Sequence, residues 1–568
     1  MKKLTALILG LIVFLAFLLR FVDLAKYPEA IDEDEMALGY YGFSLAKNGT
    51  DEYGNKLPIY FPSVGDYKYG LYSYFAAIPI SIFGLNSTST RITAALAGTL
   101  TVVVVYFLAL EILPSSVFAL ASAFFLAIDP THIHFSRVAY NNVLGGLFAF
   151  VSVLFFLRWL KSKTKTHYFL SLGSFILAIY SYQSYRIFLP VSLLASYSVL
   201  AFKAKRIEFS KLALVLVFVG VTLISFIPKA SRARSQTAAD LFNLPKITEQ
   251  HSEDGLAGSP LIISRFFHNK IVSAVRTYAG HYFSYFDPNF LFLETSANSD
   301  RQATPDVGLL NLADIIFLAA GTLGLFLLVK TRLKYIPVIL LLASPLAASL
   351  VNADRSTTRA VMITVPFALF CGMGFHYLFK TIKYKKLFLT GFLLAYLVST
   401  GYFVHQYFVH KPLHMPWYSD YGLQQMVQKV NNLSDNYDKV VISRGHYIPF
   451  LYFNRINPQD FITKATFSQI GNLKKVEGYG KLVFNMPYDC PPVGKVNVLY
   501  VCFGYKIPAT ARLVDLIRFR DGQPAILLVD FGKEINKTLP DRVEREKSGS
   551  AAGGLDKATL PIVSGFWP

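Results

Sequence analysis

The chain has 568 residues, 53% of them hydrophobic and only 16% charged, with a mean hydropathy of +0.41. A soluble globular protein carries more charge and shorter apolar runs, so that class is excluded. The formal charge of +19 lies in short clusters between apolar runs rather than in one basic domain, which reads as positive-inside loops and excludes a nucleic-acid partner.

Residues Leu4 to Leu19 form the first apolar run, behind Lys2 and Lys3 and closed by Arg20. No small-residue cleavage site follows, so the run reads as an uncleaved span with its N-terminus in the cytoplasm. Beyond it stands Ile31-Asp-Glu-Asp-Glu-Met36, with four adjacent carboxylates. Carboxylates held at a membrane surface are costly and mark chemistry or ion handling.

Basic clusters at Arg158 to Lys165, Lys203 to Lys211, Lys330 to Lys334 and Lys380 to Lys386 mark the cytoplasmic side. Between consecutive clusters the chain crosses an even number of times. This pairs residues 168–182 with 186–202, 211–228 with 308–329, and 335–351 with 359–380; residues 386–408 then run outward. Upstream, 138–158 runs inward, 115–129 outward and 91–112 inward, leaving 70–85 outside as a juxtamembrane helix. The sum is about eleven spans. The expected fold is an all-α polytopic protein of the cell (plasma) membrane, with a cytoplasmic N-terminus and a small extracytoplasmic α/β domain at the C-terminus. Residues 1–410 form the transmembrane module, with a first outer loop at 23–69 and a long outer loop at 229–305.

In the C-terminal region, 411–540, Val440-Val-Ile-Ser-Arg444, Lys481-Leu-Val-Phe-Asn485 and Val496-Asn-Val-Leu-Tyr-Val-Cys502 read as strands. Residues 420–433 have helical spacing, with Leu423, Met426, Val427 and Val430 on one face. The tail at 541–568 is charged, then rich in Gly, Ser and Ala, and reads as disordered. Cys490 and Cys502 lie outside, where they form a disulfide if the compartment is oxidising or else pack as strand thiols; Cys371 reads as packing within a span. The histidines at 132, 134, 405, 410 and 414 sit at interfaces as anchors rather than in a metal-ligand spacing.

Charge parity places the acidic loop, residues 130–137, the long loop, the turn from Asn352 to Thr358 and the C-terminal domain on one face. That face holds Asp34 and Glu35, with Asp32, Glu33 and Asp66 nearby, and the cations Lys68, Arg137, Arg186, Arg355 and Arg359. A single arginine at a span end is ordinarily a snorkelling anchor. Several around one acidic loop point to an anionic head group, most naturally a phosphate, which Arg binds bidentately.

Pro28 with Asp34-Glu35, Gly39-Tyr40, Asp51-Glu-Tyr-Gly-Asn55, Gly65-Asp-Tyr-Lys68, Phe135-Ser-Arg137, Tyr285-Phe-Asp-Pro-Asn-Phe-Leu-Phe292 and Thr304-Pro-Asp-Val-Gly-Leu-Leu310 occur in that order. The set resembles the bacterial relatives of the dolichyl-phosphate-mannose protein mannosyltransferases. The aminoarabinose lipid A transferases belong to the same superfamily, the C-type glycosyltransferase (GT-C) fold. The likeness covers roughly residues 1–410, while the C-terminal domain contributes little to it.

The resemblance implies a glycosyltransferase that takes its sugar from a polyprenyl-phosphate donor, with Asp34 as general base. Glu35 would position Asp34, bind acceptor or hold a metal ion. Lys68, Ser136-Arg137, Arg186 and Arg359 would meet the lipid phosphate, and Asp66, Tyr67, Asn141 and Arg355 the rest of the substrate. Where the protein mannosyltransferases carry an Asp shortly after the arginine, this chain has Asn141-Asn142, so the acceptor stays open among protein, glycolipid and cell-wall polymer. Asp-Glu pairs serve metal-dependent and metal-free members of the fold, so no cofactor is assigned and a divalent cation stays open.

Elementary chemistry agrees with this reading. A phosphate leaving group needs no general acid; the reaction needs a base for the acceptor hydroxyl and cations for the departing phosphate. Adjacent carboxylates cannot flank one sugar as in a glycosidase, and direct displacement inverts the anomeric centre. Asp32 and Glu33 read as solvated. The alternatives are a transporter or flippase of lipid-linked sugars, which would hold its ionisable groups near the midplane of repeated helices, and a non-catalytic scaffold presenting the C-terminal domain.

Overall fold

The computed structural model describes residues 2–63, 66–201, 209–228, 246–295, 302–351, 355–414, 420–470, 473–486, 490–504 and 506–532. The tail at 541–568, expected to be disordered, lies outside the described residues. The apolar runs are helical, as they must be where a bilayer offers backbone amides no partner but their own chain. Six helices are long and apolar enough to cross a membrane: Lys3–Phe21, Ser87–Ile112, Asn141–Ser162, Arg332–Ser349, Thr357–Thr381 and Lys385–His410. Ser116–Ala127 and Pro130–Ser136 form a seventh candidate, bent by 61°.

Length and composition therefore give six or seven spans among the described residues, against the eleven that charge parity implied. The difference lies in runs whose helices are short, such as Lys165–Ser181 and Tyr185–Ala201 at 17 residues each and Asp314–Leu328 at 15. The helix expected at 70–85 is present as α3 (Leu71–Phe83), with Ile78, Ile82 and Phe83 exposed. Part of the long outer loop is helical too, over Lys246–Leu256, Leu261–Phe267 and Lys270–Ser284.

Close packing in the bundle rests on small residues. A Cβ on Gly321 would lie 1.9 Å from the Phe370 carbonyl oxygen, and one on Gly374 1.9 Å from that of Phe317. Glycine lets these two helices touch backbone to backbone, where lipid supplies no hydrophobic drive for association.

The C-terminal helix Leu423–Leu433 buries Leu423, Met426, Val427 and Val430, the four residues expected on its inner face. The strands are β3 (Lys439–Ser443), β4 (Ala465–Ile470), β5 (Leu473–Tyr479), β6 (Leu482–Met486), β7 (Val498–Phe503), β8 (Arg512–Arg518) and β9 (Pro524–Asp530). They form one sheet in the order β4-β5-β6-β3-β7-β9-β8, and the central β3 runs parallel to both β6 and β7. Cys490 and Cys502 are joined by a disulfide, with their Cα atoms 5.2 Å apart. This domain is not hung on a linker. Its apolar core, with Ile448, Phe450 and Tyr452, continues into Met36, Tyr40 and Tyr41 of the first outer loop.

Candidate active site

Four carboxylates in a row would repel one another on a strand. Here Glu33, Asp34 and Glu35 form the first turn of α2 (Glu33–Asn48), where the positive end of the helix dipole favours them. Asp32 is the N-cap: its Oδ1 accepts the Glu35 N–H at 2.9 Å, and its Oδ2 accepts the Tyr140 hydroxyl. Helical geometry then turns the next three side chains in three directions, and each meets a different basic side chain.

Glu35 points inward. Arg91, near the start of α4 (Ser87–Ile112), donates from Nε to Oε2 at 2.8 Å and from Nη2 to Oε1 at 2.7 Å. The Ala139 N–H adds a bond of 2.7 Å to Oε2, and both side chains of the pair are sealed from solvent. The remaining donors of Arg91 meet the carbonyls of Leu24, Pro28 and Ala30. This one arginine thus fixes the end of the first span, the turns leading to α2 and the carboxylate beside Asp34.

Glu33 faces the C-terminal domain. Its carboxylate lies 3.0 Å from Nδ1 of His446, and its backbone N–H donates to Asp420 at 3.0 Å. Asp32 and Glu33, expected to be solvated, are instead engaged: the first is buried, and the second has a side chain only 16% exposed.

Asp34 is the most exposed of the four. Its side chain is 35% exposed and ion-paired with Lys68. Lys68 belongs to the hairpin of β1 (Tyr60–Ser63) and β2 (Asp66–Tyr69), opposite Phe61 in the register. The hairpin is held by Arg186, which donates to the Tyr60 hydroxyl at 2.7 Å and stacks on Tyr69 with 5.1 Å to the ring centre. Tyr67 shares β2 with Lys68 and stands opposite Pro62, and Asp66 stands opposite Ser63.

The other expected residues divide. The Arg137 guanidinium is buried and donates to the carbonyls of Leu19, Val22 and Tyr27, over the rings of Tyr407 and Phe408. It ties down the end of α1 (Lys2–Phe21), and those carbonyls and rings are the contacts the structure shows for the residue expected to meet the phosphate. Arg355 pairs with Asp287 at 3.0 Å and lies over Phe290. Arg359 is half-buried, and its guanidinium has no ion pair among the described residues. Asn141 opens the helix Asn141–Ser162, with a buried Oδ1 that has no hydrogen-bond partner among the described residues.

Two residues escaped the sequence reading. Arg91 was one more arginine near the start of a span, and nothing in its spacing marked it as the partner of Glu35. Glu52, within the noted motif Asp51-Glu-Tyr-Gly-Asn55, is fully buried and accepts the Tyr447 hydroxyl at 2.6 Å. Burial, with the Asp51 carboxylate adding to it, pushes its carboxyl up to about 8, against the Tyr447 bond and the charge of Lys68. Asp51 itself closes the turn, accepting the N–H groups of Tyr53 and Asn55. No three His, Cys, Asp or Glu side chains converge on a metal-sized space among the described residues.

The sequence model of the family described as dolichyl-phosphate-mannose-protein mannosyltransferase matches residues 71–231. Among solved structures, ArnT from Cupriavidus metallidurans in the apo state is 10% identical, covering 91% of this chain and 97% of its own, with a TM-score of 0.51. The same protein bound to undecaprenyl phosphate matches at 10% identity over the same shares, with a TM-score of 0.48. The Archaeoglobus fulgidus oligosaccharyltransferase tethered to an acceptor peptide is 13% identical over 80% of this chain, with a TM-score of 0.48. This chain spans 63% of that archaeal protein. No curated protein sequence matches. The chain is a helical membrane protein of the GT-C fold, and it resembles the GT-C glycosyltransferase superfamily.

Proposed function

We propose that this protein is a membrane glycosyltransferase that moves a sugar from a polyprenyl-phosphate donor to an acceptor hydroxyl outside the cytoplasm. The observation behind the reading is the unequal fate of the four carboxylates. Asp32, Glu33 and Glu35 are buried or clamped, while Asp34 opens to solvent against Lys68.

In this reaction Asp34 takes the proton of the acceptor hydroxyl as its oxygen bonds to the anomeric carbon. The bond from that carbon to the phosphate oxygen breaks, and the lipid phosphate leaves with the electron pair. Attack opposite the leaving group inverts the centre. Lys68 pairs with Asp34 until the acceptor arrives and then meets the charge growing on the phosphate, where a fixed cation in a partly dry site is most effective. Arg359 supplies a second cation, and Arg186 sets the hairpin that presents Lys68. Glu35 and Arg137 act as positioning residues. Tyr67, Asp66, Asn141 and Arg355 border the sugar and acceptor.

The proposed topology counts the short apolar helices with the long ones, giving about eleven spans with the first loop and C-terminal domain outside the plasma membrane. Protein, glycolipid and cell-wall polymer stay open as acceptors. The test is to offer purified protein a panel of radiolabelled polyprenyl-phosphate sugars. Release of polyprenyl phosphate with label moved to an added acceptor supports the reading and names the donor; no turnover with folded protein counts for a transporter or scaffold.

A further inference from the structure

The C-terminal sheet contains a topological switch point that the proposed reaction does not use. The chain leaves β3, returns as the parallel β6 on one side, and then adds the parallel β7 on the other side. Where successive parallel strands go to opposite sides of a central strand, the connections part and leave a gap outside the carboxyl ends of the strands, the usual ligand position in open α/β sheets. In this protein the gap lies beyond Ser443 of β3 and Phe503 of β7.

The residues in it have the marks of a binding surface. Arg444 and Gly445 follow β3 with φ of 63° and 71°, and Gly504 follows β7 with φ of 139°. The left-handed conformation is unfavourable for arginine, and such strain is retained where the surroundings over-determine it, commonly at ligand sites. A Cβ on Gly504 would meet nothing within 4 Å, so the backbone on that side lies open to an incoming group. Arg444 is exposed and rests on the Phe503 ring at 5.5 Å from its centre, with no ion pair among the described residues. Of the neighbouring charges, Glu33 is matched with His446, whose ring lies 4.7 Å from that of Phe503, and Asp34 with Lys68, while the Asp420 carboxylate accepts the Glu33 N–H on the His446 side.

The switch point also has a direction. His446, two residues beyond Arg444, holds Glu33, the residue next to Asp34. A molecule anchored at Arg444 therefore lies beside the first turn of α2.

We propose that the switch point at the carboxyl ends of β3 and β7 binds an anionic group, phosphate or carboxylate, on a saccharide acceptor, with Arg444 as its main contact. The proposal rests on the glycosyltransferase reading only for calling the bound molecule the acceptor. Arg444 offers a bidentate fork to an oxyanion, and the bare backbone at Gly504 lets the group approach.

Saturation-transfer NMR on the full chain in detergent tests this without any turnover. Glucose 1-phosphate is the probe, with glucose and inorganic phosphate as comparators. The expected result is transfer to the ring protons of glucose 1-phosphate, competed by inorganic phosphate and weakened about tenfold by Arg444→Ala, the loss of one charge-assisted contact. Lys439→Ala, an exposed lysine at the opposite end of β3, leaves the signal unchanged. Equal signals from glucose and glucose 1-phosphate, or an unchanged signal in Arg444→Ala, overturn the proposal. Binding of inorganic phosphate with no ring-proton transfer from the sugar phosphate overturns the saccharide part. If the glycosyltransferase reading fails, it does so in the donor assay, whatever this experiment gives.

Discussion

Arg91 holds Glu35 through two parallel bonds, Nε to Oε2 at 2.8 Å and Nη2 to Oε1 at 2.7 Å, with neither side chain open to solvent. The pair joins a transmembrane helix to the first turn of α2 and places Asp34 one residue away on the open side. A buried pair of this kind is costly to break from one end, because the survivor is left as an uncompensated charge.

Glu35→Ala is therefore expected to destabilise the protein by about 3–5 kcal/mol. Glu35→Gln, which keeps part of the hydrogen bonding, loses less. Thermal unfolding in detergent reads both, and a Glu35→Ala midpoint equal to wild type would remove the pair from the account.

Glu52 gives a pH signature of known sign. Its carboxyl titrates at about 8 in the folded protein, well above the ordinary value, so the folded state holds a proton that the unfolded state releases. Stability from this group is greatest at acid pH, falls as pH rises from the ordinary carboxylate range to about 8, and is flat above that. Glu52→Gln removes the fall. The variant is expected to be more stable than wild type by roughly 3 kcal/mol near neutral pH, and nearly equal to it near pH 4. Unfolding midpoints across that range check the sign; a variant less stable than wild type near neutral pH contradicts it.

His446 is pulled in opposite directions. Burial lowers its pKa, but the Glu33 carboxylate, with Asp420 behind it and against the charge of Arg444, leaves it above its ordinary value. A raised histidine stabilises fully below its unfolded pKa and loses that contribution as pH rises through the folded one. Docking of the C-terminal domain on α2 is thus expected to loosen on the alkaline side. Hydrogen exchange at the first turn of α2 should accelerate there in wild type and be insensitive to pH in His446→Gln, once intrinsic exchange is corrected for. Equal pH dependence in both proteins would assign the effect elsewhere.

Lys68→Met keeps the bulk of the side chain and removes its charge. If Lys68 meets the departing phosphate, turnover should fall about 100-fold, with Lys68→Arg recovering part of it. Turnover unchanged in Lys68→Met would confine the lysine to holding the hairpin.

The helices and strands were largely legible because their signals are local. The apolar face of Leu423, Met426, Val427 and Val430 and the strand runs around Val440 and Val498 follow from period alone. The candidate site was legible as a cluster, since four adjacent carboxylates beside a span are hard to miss. Their separate partners were not: Arg91, His446 and Lys68 lie 56, 413 and 34 residues from the carboxylates they meet. Arg137 shows the same limit from the other side. Its position at a span end is equally consistent with a phosphate contact and with a grip on the carbonyls of Leu19, Val22 and Tyr27, and that grip becomes visible only in the packing.

The central claim is that Asp34 is the base. The most direct measurement is single-turnover transfer from saturating polyprenyl-phosphate sugar by wild type and Asp34→Asn, with both proteins shown to unfold at the same temperature. A loss of about 10²- to 10⁴-fold is expected in the variant, the usual range for general-base removal. A rate within about threefold of wild type would contradict it, because so small a change is far below what a base contributes.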